Sequence, residues 1–600
     1  MRREKEKIKK NVRDTDRSKR QTHKYRYIVP GCVFTAILVL FTVRVVWLGG
    51  QTPVLPGLLG GSSRTVTVPS LRGEIFDRNG VKLVGNSYSY ELRCNPTQFL
   101  SYQGAVEKLY LMLCEFGCDG ELSSYEELEQ LLIGASGSEV VLSENAPMSI
   151  IAHIISKRSA GLSVEKKVSR VYEDGGYAAH VLGHTGKIQA GTLEYYSELG
   201  YPMDATVGVD GVEAAFEEYL HGKDGKMLIT YDGAGNIVSA EITEESVPGN
   251  NVYLTIDIDL QKSALDALGQ QVHSVGSDGG AITAADVNSG ELLVCASYPT
   301  YTADQYKNDY ASLSADPSAP LFNRSIQGRY APGSVMKLAT AAAALEEGII
   351  TPDTVITDEG IYTYYDNFTP QCWLYGKNGT THGTINVRAA IQHSCNYFFF
   401  ETGRLTGIEK MNLWASKLGL GEKSGIELSE AQPVLAGPAS RGDSGWGEGE
   451  TLAAAIGQSD NLFTPTQLCS FISVLANGGT RYSEHLLLKV CSPTGETVYE
   501  KEPDILGNAS LSAGSLNVIR DGMYDAAHSG TVGNVFSGKN YEIGAKTGTA
   551  QREGAEPNAV FAAFAPYESP QISVTCVIEN GSDGFNAALP AEALLTGYFG

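Results

Sequence analysis

Six hundred residues, 42% apolar and 19% charged, describe a folded chain too long for a single core; two or three domains are expected and wholesale disorder is excluded. The net charge of −23 is uneven: residues 1–26 hold twelve Lys/Arg and four Asp/Glu, a local +8, which leaves the remainder near −31. An acidic body of this kind excludes nucleic acid as the partner.

The basic head, 1–26, is the flank expected on the cytoplasmic side of a membrane segment. "YIVPGCVFTAILVLFTV", residues 27–43, follows without a charge, and "RVVWL" extends it to Leu48, enough residues to span a bilayer as a helix. Arg44 can snorkel to the headgroups and Trp47 suits the interface. The long basic tail, the length of the apolar run and the lack of a clear A-x-A site argue against a cleaved signal peptide. A single transmembrane helix over 27–48 is therefore expected, with the N-terminus in the cytoplasm and residues 49–600 outside.

Residues 49–63 are rich in Gly and Pro and read as a linker. In "RGEIFDRNGVKLVGNSYSYELRCNP" the run Asp77-Arg78-Asn79-Gly80 predicts a hairpin turn between two alternating strands. Residues 104–160 are helical in pattern, and short helices and strands follow over 177–245. "SVPGNN", 246–251, marks a break. Beyond it come a strand and an amphipathic helix, then a hairpin turning at Asn288-Ser289-Gly290. A helical middle is expected over roughly 334–476. "YEIGAKTGTAQ", "NAVFAAFAPY" and "QISVTCVIENG" read as strands of one antiparallel sheet. One domain is thus expected over 64–250 and a second over 251–600.

The ten cysteines, at 32, 94, 114, 118, 295, 372, 395, 469, 491 and 576, form no C-x-x-C pair and adjoin no ligand-like His cluster. No zinc or redox site is expected, only buried thiols and at most one bridge.

"GRYAPGSVMKLATAAAALEEG", 328–348, carries the chemistry. Its Pro-Gly breaks any preceding helix, and the Ala-rich run starts one, so Ser334 falls at a helix head with Lys337 three residues on. Ser after Pro-Gly is also an ordinary N-cap, and Ser-x-x-Lys recurs by chance, as at Ser163–Lys166. As a nucleophile, Ser334 needs a base; a lysine one turn above can serve once burial and a second cation lower its pKa. "AKTGTAQ" supplies that cation, Lys546, on a strand where Gly548 admits a second backbone closely. Lys423-Ser424-Gly425 is a looser match in a loop. "HSCN" offers Ser394 and Asn396 as the polar bridge; the S-x-N strings at Ser143, Ser459 and Ser515 lack its order and apolar setting.

S-x-x-K, S-x-N and K-T-G in this order resemble the penicillin-binding proteins and serine β-lactamases. "RGEIFDRNG", "HVLGHTGKI", "GVDGVEAAFEEYLHGKDG", "LTIDIDLQ", "SGELLVCASYP", "NRSIQGRYAPGSVMK", "AIGQSDNLFTPTQL" and "KTGTAQ" are similar to the class B members, the monofunctional peptidoglycan transpeptidases. Ser459-Asp460-Asn461 copies the β-lactamase form of the second motif, but that stretch looks instead like the family's "GQG…TP" loop.

The resemblance implies an α+β fold: the membrane helix, a mixed pedestal of the penicillin-binding-protein dimerisation type over 64–250, and a transpeptidase domain over 251–600 with a central antiparallel sheet flanked by helices. It implies Ser334 as acylated nucleophile, Lys337 as base, and Ser394 and Asn396 holding Lys337. Lys546 would lower that pKa and meet the substrate carboxylate with Thr547 and Thr549. The oxyanion would lie between the backbone N–H groups of Ser334 and Thr549, beside Gly548. No metal and no cofactor are implied. Peptidoglycan stem peptides are the implied substrate, β-lactams the inhibitors, and a membrane glycosyltransferase the partner. The rivals are a D,D-carboxypeptidase or β-lactamase, a β-lactam sensor and an inactive scaffold. The pedestal, the single span and the intact motifs weigh against them.

Overall fold

The computed structural model describes residues 62–600 except 101–103, 118–123, 136–138, 158–160, 232–236 and 443–444. The basic tail, the expected membrane segment and all but the last two residues of the expected linker lie outside the described residues. Among the described residues no helix is long and apolar enough to cross a membrane.

The chain divides into two compact units. The smaller contains an antiparallel sheet in which Gly225–Tyr231 lies between Ser63–Val68 and Ile237–Glu244.

The larger unit mixes helices with sheets. One sheet runs Thr497–Glu500, Leu487–Cys491, Asn251–Leu254, Ile75–Phe76, Lys82–Cys94, Val140–Ser143, and the whole of Leu162–Tyr172 pairs with Lys82–Cys94 from Val84 onward. The predicted Asp-Arg-Asn-Gly turn joins Ile75–Phe76 to Lys82–Cys94. Asp77 is buried there; one carboxylate oxygen accepts from the N–H groups of Asn79 and Val81, the other from Ile258, so the side chain fixes both turn and neighbouring helix. The helical pattern of 104–160 resolves into Ala105–Glu115, Tyr125–Gly134 and Met148–Lys157 around the strand Val140–Ser143. "RGEIFDRNG" and "GVEAAFEEYL" meet through charge: Arg72 pairs with Glu213 (2.6 Å) and Glu217 (2.7 Å), and Arg170 closes on Glu213 at 2.7 Å.

A five-stranded antiparallel sheet lies further along the same unit. Its strands are β1 (Gly280–Asp286), β2 (Leu292–Tyr298), β3 (Gly544–Arg552), β4 (Ala555–Ala565) and β5 (Ile572–Ile578), in the order β2-β1-β5-β4-β3. β4 shows why its sequence is apolar without a break from Ala559 to Ala565. Ala559, Phe561, Ala563 and Ala565 enter the core on one face, while Val560, Ala562 and Phe564 enter the core on the other. The helices that frame the site are α1 (Ile258–Ser274), α2 (Lys337–Glu346), α3 (Asn396–Thr406), α4 (Glu448–Ala455), α5 (Pro465–Ala476), α6 (Ala513–His528) and α7 (Gly584–Phe599). α1 and α7 cover one sheet face, α5 and α6 the other, with α2 buried behind them. Strands at both ends and a helical middle match the sequence expectation; α7, with Pro590 inside it, was not anticipated.

Candidate active site

Pro332 and Gly333 end the preceding chain, Gly333 with φ of 53°, and the next turn is 3₁₀, Gly333–Met336, before α2 begins at Lys337. Ser334 therefore sits one tight turn ahead of the α-helix. Three residues per turn in a 3₁₀ segment bring Lys337 directly over Ser334. Ser334 is half-buried; Lys337, like Lys546 on β3, is 0% exposed.

Ser394 lies between the helix Val387–Gln392 and α3, with φ of 55°. A non-glycine residue occupies this left-handed region only when its surroundings hold it there, a frequent mark of functional sites. Both its carbonyl and its hydroxyl lie against Lys337: Nζ donates to Ser394 O (2.8 Å) and lies 3.2 Å from Ser394 Oγ. Asn396, first residue of α3, accepts from the same Nζ through Oδ1 at 2.6 Å. Lys546 Nζ reaches Ser394 Oγ at 2.9 Å and Thr547 O at 3.0 Å. The Ser334 hydroxyl makes no hydrogen bond to either lysine in this arrangement.

Burial lowers the Lys337 pKa to about 8. The sequence reading expected burial and Lys546 together to supply that shift; burial is its leading cause. Burial first, and then the charge on Lys337, push Lys546 well below its ordinary value. Two buried amines that share one hydroxyl resist carrying two charges, so the pair titrates as a unit.

Gly548 fits its place on β3 for steric reasons. A Cβ there would lie 2.5 Å from Pro332 O and 3.4 Å from Ser334 N, and a Cβ on Gly584 at the start of α7 would lie 2.5 Å from Gly548 O. The glycine thus lets the Ser334 turn and α7 close on β3. β3 is an edge strand, and its outward groups are identified by their partners: Thr547 O accepts from Lys546 and Thr549 O from Gln458. Thr549 N–H points the same way as its own carbonyl. Gly333, next to Ser334, packs against this group so closely that a Cβ there would lie 2.9 Å from Thr549 N, which places the Ser334 and Thr549 N–H groups near one another. The Thr547 hydroxyl is buried and donates to Thr531 Oγ1 at 3.1 Å, while exposed Thr549 accepts from Gly584 N–H at 3.4 Å.

Other matches fall elsewhere. Ser163 and Lys166 are exposed on Leu162–Tyr172. The Ser424 N–H donates to Glu430. Ser459 donates to Glu450, which with Asp460 grips Arg441. Gln458 and Thr531, both in contact with β3, were given no role from the sequence, although Gln458 lies in the quoted "AIGQSDNLFTPTQL".

One group of side chains bears on the expectation that there is no zinc site. Asp358, Cys372, His382 and Cys395 place one ligand atom each within 4.8 Å of the others. Cys372 Sγ is 3.8 Å from Cys395 Sγ and 3.4 Å from His382 Nδ1; Asp358 Oδ2 is 2.8 Å from that nitrogen and 3.6 Å from Cys395 Sγ. Two thiols, an imidazole and a carboxylate at such spacings suit a tetrahedral zinc-type ion, with metal–ligand distances of about 2.0–2.3 Å. The absence of a ligand-like cluster in the sequence did not carry over to space: strand pairing between Val355–Asp358 and Gly383–Asn386 brings Asp358 and His382 together. Cys395 separates Ser394 from Asn396, and Cys395 and Cys372 are close enough to act on the charge of Lys337, so this group adjoins the site.

Residues 280–595 match the penicillin binding protein transpeptidase domain family, and residues 67–254 match the penicillin-binding protein dimerisation domain. The peptidoglycan D,D-transpeptidase MrdA of Salmonella typhimurium is 30% identical over 565 residues, covering 88% of this chain and 87% of that protein. Among solved structures, one describing the coordination of polymerization and crosslinking by a peptidoglycan synthase complex aligns with a TM-score of 0.74 at 26% identity, over 94% of this chain and 98% of that one. Pseudomonas aeruginosa PBP2 in complex with WCK 5153 aligns with a TM-score of 0.66 at 25% identity, over 89% of this chain and 96% of that one.

Proposed function

The chain belongs to the class B penicillin-binding proteins, a D,D-transpeptidase family, and from that premise we propose that it cross-links peptidoglycan stem peptides through an acyl-enzyme on Ser334. The observation that carries the residue assignment is the lysine pair joined through Ser394 Oγ above Ser334.

In this reading Lys337 donates to two carbonyl acceptors, Ser394 O and Asn396 Oδ1, and burial makes its neutral form accessible. Neutral Lys337 then takes the proton of Ser334 Oγ as the oxygen attacks the penultimate D-Ala carbonyl. The oxyanion is met by the N–H groups of Ser334 and Thr549. The carbon–nitrogen bond breaks, the proton goes to the departing D-Ala amine, and an ester remains on Ser334. An amine from a neighbouring stem reverses the sequence and forms the cross-link. Lys546, Thr547 and Thr549 line the edge where the substrate carboxylate lies. β-Lactams, whose strained amide copies the scissile bond, acylate the same serine.

Several expectations stay part of this proposal. The pedestal over 64–250 and the transpeptidase domain over 251–600 are supported by the matches at 67–254 and 280–595. The span over 27–48, with the body outside the membrane, is supported by the +8 head and the apolar run. A membrane glycosyltransferase partner is supported by the solved synthase complex.

The test is covalent. Full-length protein incubated with a fluorescent penicillin, digested and mapped by mass spectrometry should carry the label on Ser334, and Ser334→Ala should carry none. A donor pentapeptide offered together with a D-amino acid acceptor should yield the exchanged peptide. Label on another serine, or hydrolysis without exchange, would overturn the assignment.

A further inference from the structure

The outer edge of β3 is partly occupied by a side chain. Gln458 Nε2 donates to Thr549 O at 2.9 Å, and Gln458 Oε1 accepts from Gln551 N–H at 3.3 Å. One carboxamide thus bridges two outward groups of the edge, as a residue of a neighbouring strand would.

The backbone that aims Gln458 is fixed. Gly457, with φ of 77°, packs against the Ser334 turn so closely that a Cβ would lie 1.9 Å from Gly333 O, and Gly457 O accepts from Gly333 N–H at 3.0 Å. The Gln458 N–H donates to Ala453 O at 3.0 Å, tying the loop to α4. The side chain itself is half-buried and free to swing outward from these anchors.

An extended peptide beside an exposed strand edge pairs by its main chain. In an antiparallel ladder, a hydrogen-bonded residue pair exchanges both bonds: each N–H meets the other's carbonyl. The carbonyl attacked by Ser334 is set against Thr549 N–H. The N–H of that same substrate residue therefore falls on Thr549 O, where Gln458 Nε2 now sits.

We propose that Gln458 is a displaceable gate on the acyl-donor subsite, its carboxamide holding the Thr549 carbonyl until the N–H of the residue under attack replaces it. The inference rests on the acyl-serine reading of Ser334. Gln458 then determines specificity: a donor with an N–H at this position competes with the carboxamide for Thr549 O, and a donor without one leaves the carboxamide in place. Gln458 also occupies the edge carbonyl while no substrate is bound.

Two β-lactam classes separate the possibilities. A penicillin carries an acylamino N–H at the position of the scissile residue's amide; a carbapenem carries a hydroxyethyl group there. Second-order acylation constants would be measured for full-length parent, Gln458→Ala and Gln458→Met, the last filling the space without a donor. Both variants should be acylated faster by penicillin, roughly two- to tenfold from the loss of one competing hydrogen bond, with carbapenem unchanged. An equal loss with both probes would make Gln458 a brace rather than a gate, and an unchanged penicillin constant would mean that Thr549 O is not contested; either overturns the proposal. No labelling of the parent by either probe would overturn the acyl-serine reading itself.

Discussion

Lys337 and Lys546 are bound to the same oxygen: their Nζ atoms lie 3.2 and 2.9 Å from Ser394 Oγ. Neither has a carboxylate partner among the described residues. The two amines compete for one proton network, which makes their protonation, rather than their positions alone, the quantity to measure.

Acylation should rise with pH and level off above about 8, where Lys337 loses its proton. The sign follows from the base being the neutral form. Lys337→Arg stays protonated throughout and should lose at least about a thousandfold in acylation rate, the upper part of the range for general-base removal, with no recovery at high pH. Stopped-flow labelling between pH 6 and 10 checks both. A Lys337→Arg enzyme with a parental pH profile would remove Lys337 from the role of base.

The same shift links to stability. A buried lysine whose folded pKa is about 8 binds fewer protons folded than unfolded between that pH and its ordinary value near 10.4, so stability rises with pH across the window. The parent should gain roughly 3 kcal/mol relative to Lys337→Met between those limits. Denaturant unfolding at a series of pH values measures it; a constant difference between the two proteins would contradict the burial argument.

Ser394 can be dissected by two substitutions. Glycine accepts φ of 55° without cost, alanine does not. Ser394→Gly should therefore be more stable than Ser394→Ala by ~1 kcal/mol, while both lose acylation alike, because both lack the shared hydroxyl. Thermal melts and labelling rates together separate backbone from chemistry; unequal labelling would assign the backbone a direct part in it.

Gly548→Ala would place a methyl 2.5 Å from Pro332 O. The turn carrying Ser334 must then move off β3. A destabilisation of about 1–3 kcal/mol is expected from such overpacking, with acylation reduced at least about a hundredfold because misplaced reacting groups are costly. Parental labelling in a folded variant would show that the close approach is not required.

The Asp358, Cys372, His382 and Cys395 group predicts uptake of one zinc ion per chain by reduced protein. Metal analysis after dialysis, with the melting temperature followed as zinc is added and then chelated, gives the readout. Cys372→Ala should abolish both the uptake and the thermal shift. Reduced parent that takes up no zinc would reject the site.

Much of this arrangement was legible in the sequence because it is local. Pro-Gly before an Ala-rich run gives the Ser334 turn, Gly548 announces a close backbone approach, and Asp77-Arg78-Asn79-Gly80 forms its hairpin. What escaped depends on contacts between distant segments. Asp358 and His382 meet only through strand pairing, and nothing in either local stretch indicates the other. Gln458 is an ordinary residue whose importance comes from facing an edge. α7 lacks the polar alternation that marks a surface helix, because it lies against β3 and β4.

Asn251–Leu254 is hydrogen-bonded on one side to Ile75–Phe76 and on the other to Leu487–Cys491. It is a seam at which early and late parts of the chain are stitched into a single sheet, with α1 following a few residues later. A load applied to the strand pair Lys82–Cys94 and Leu162–Tyr172 is therefore transmitted laterally through ladder bonds. Displacement of that strand pair flexes a sheet, and the restoring force grows with the bend. The mechanical behaviour to look for is that of a spring, with a graded response, rather than a swivel that moves freely between stops.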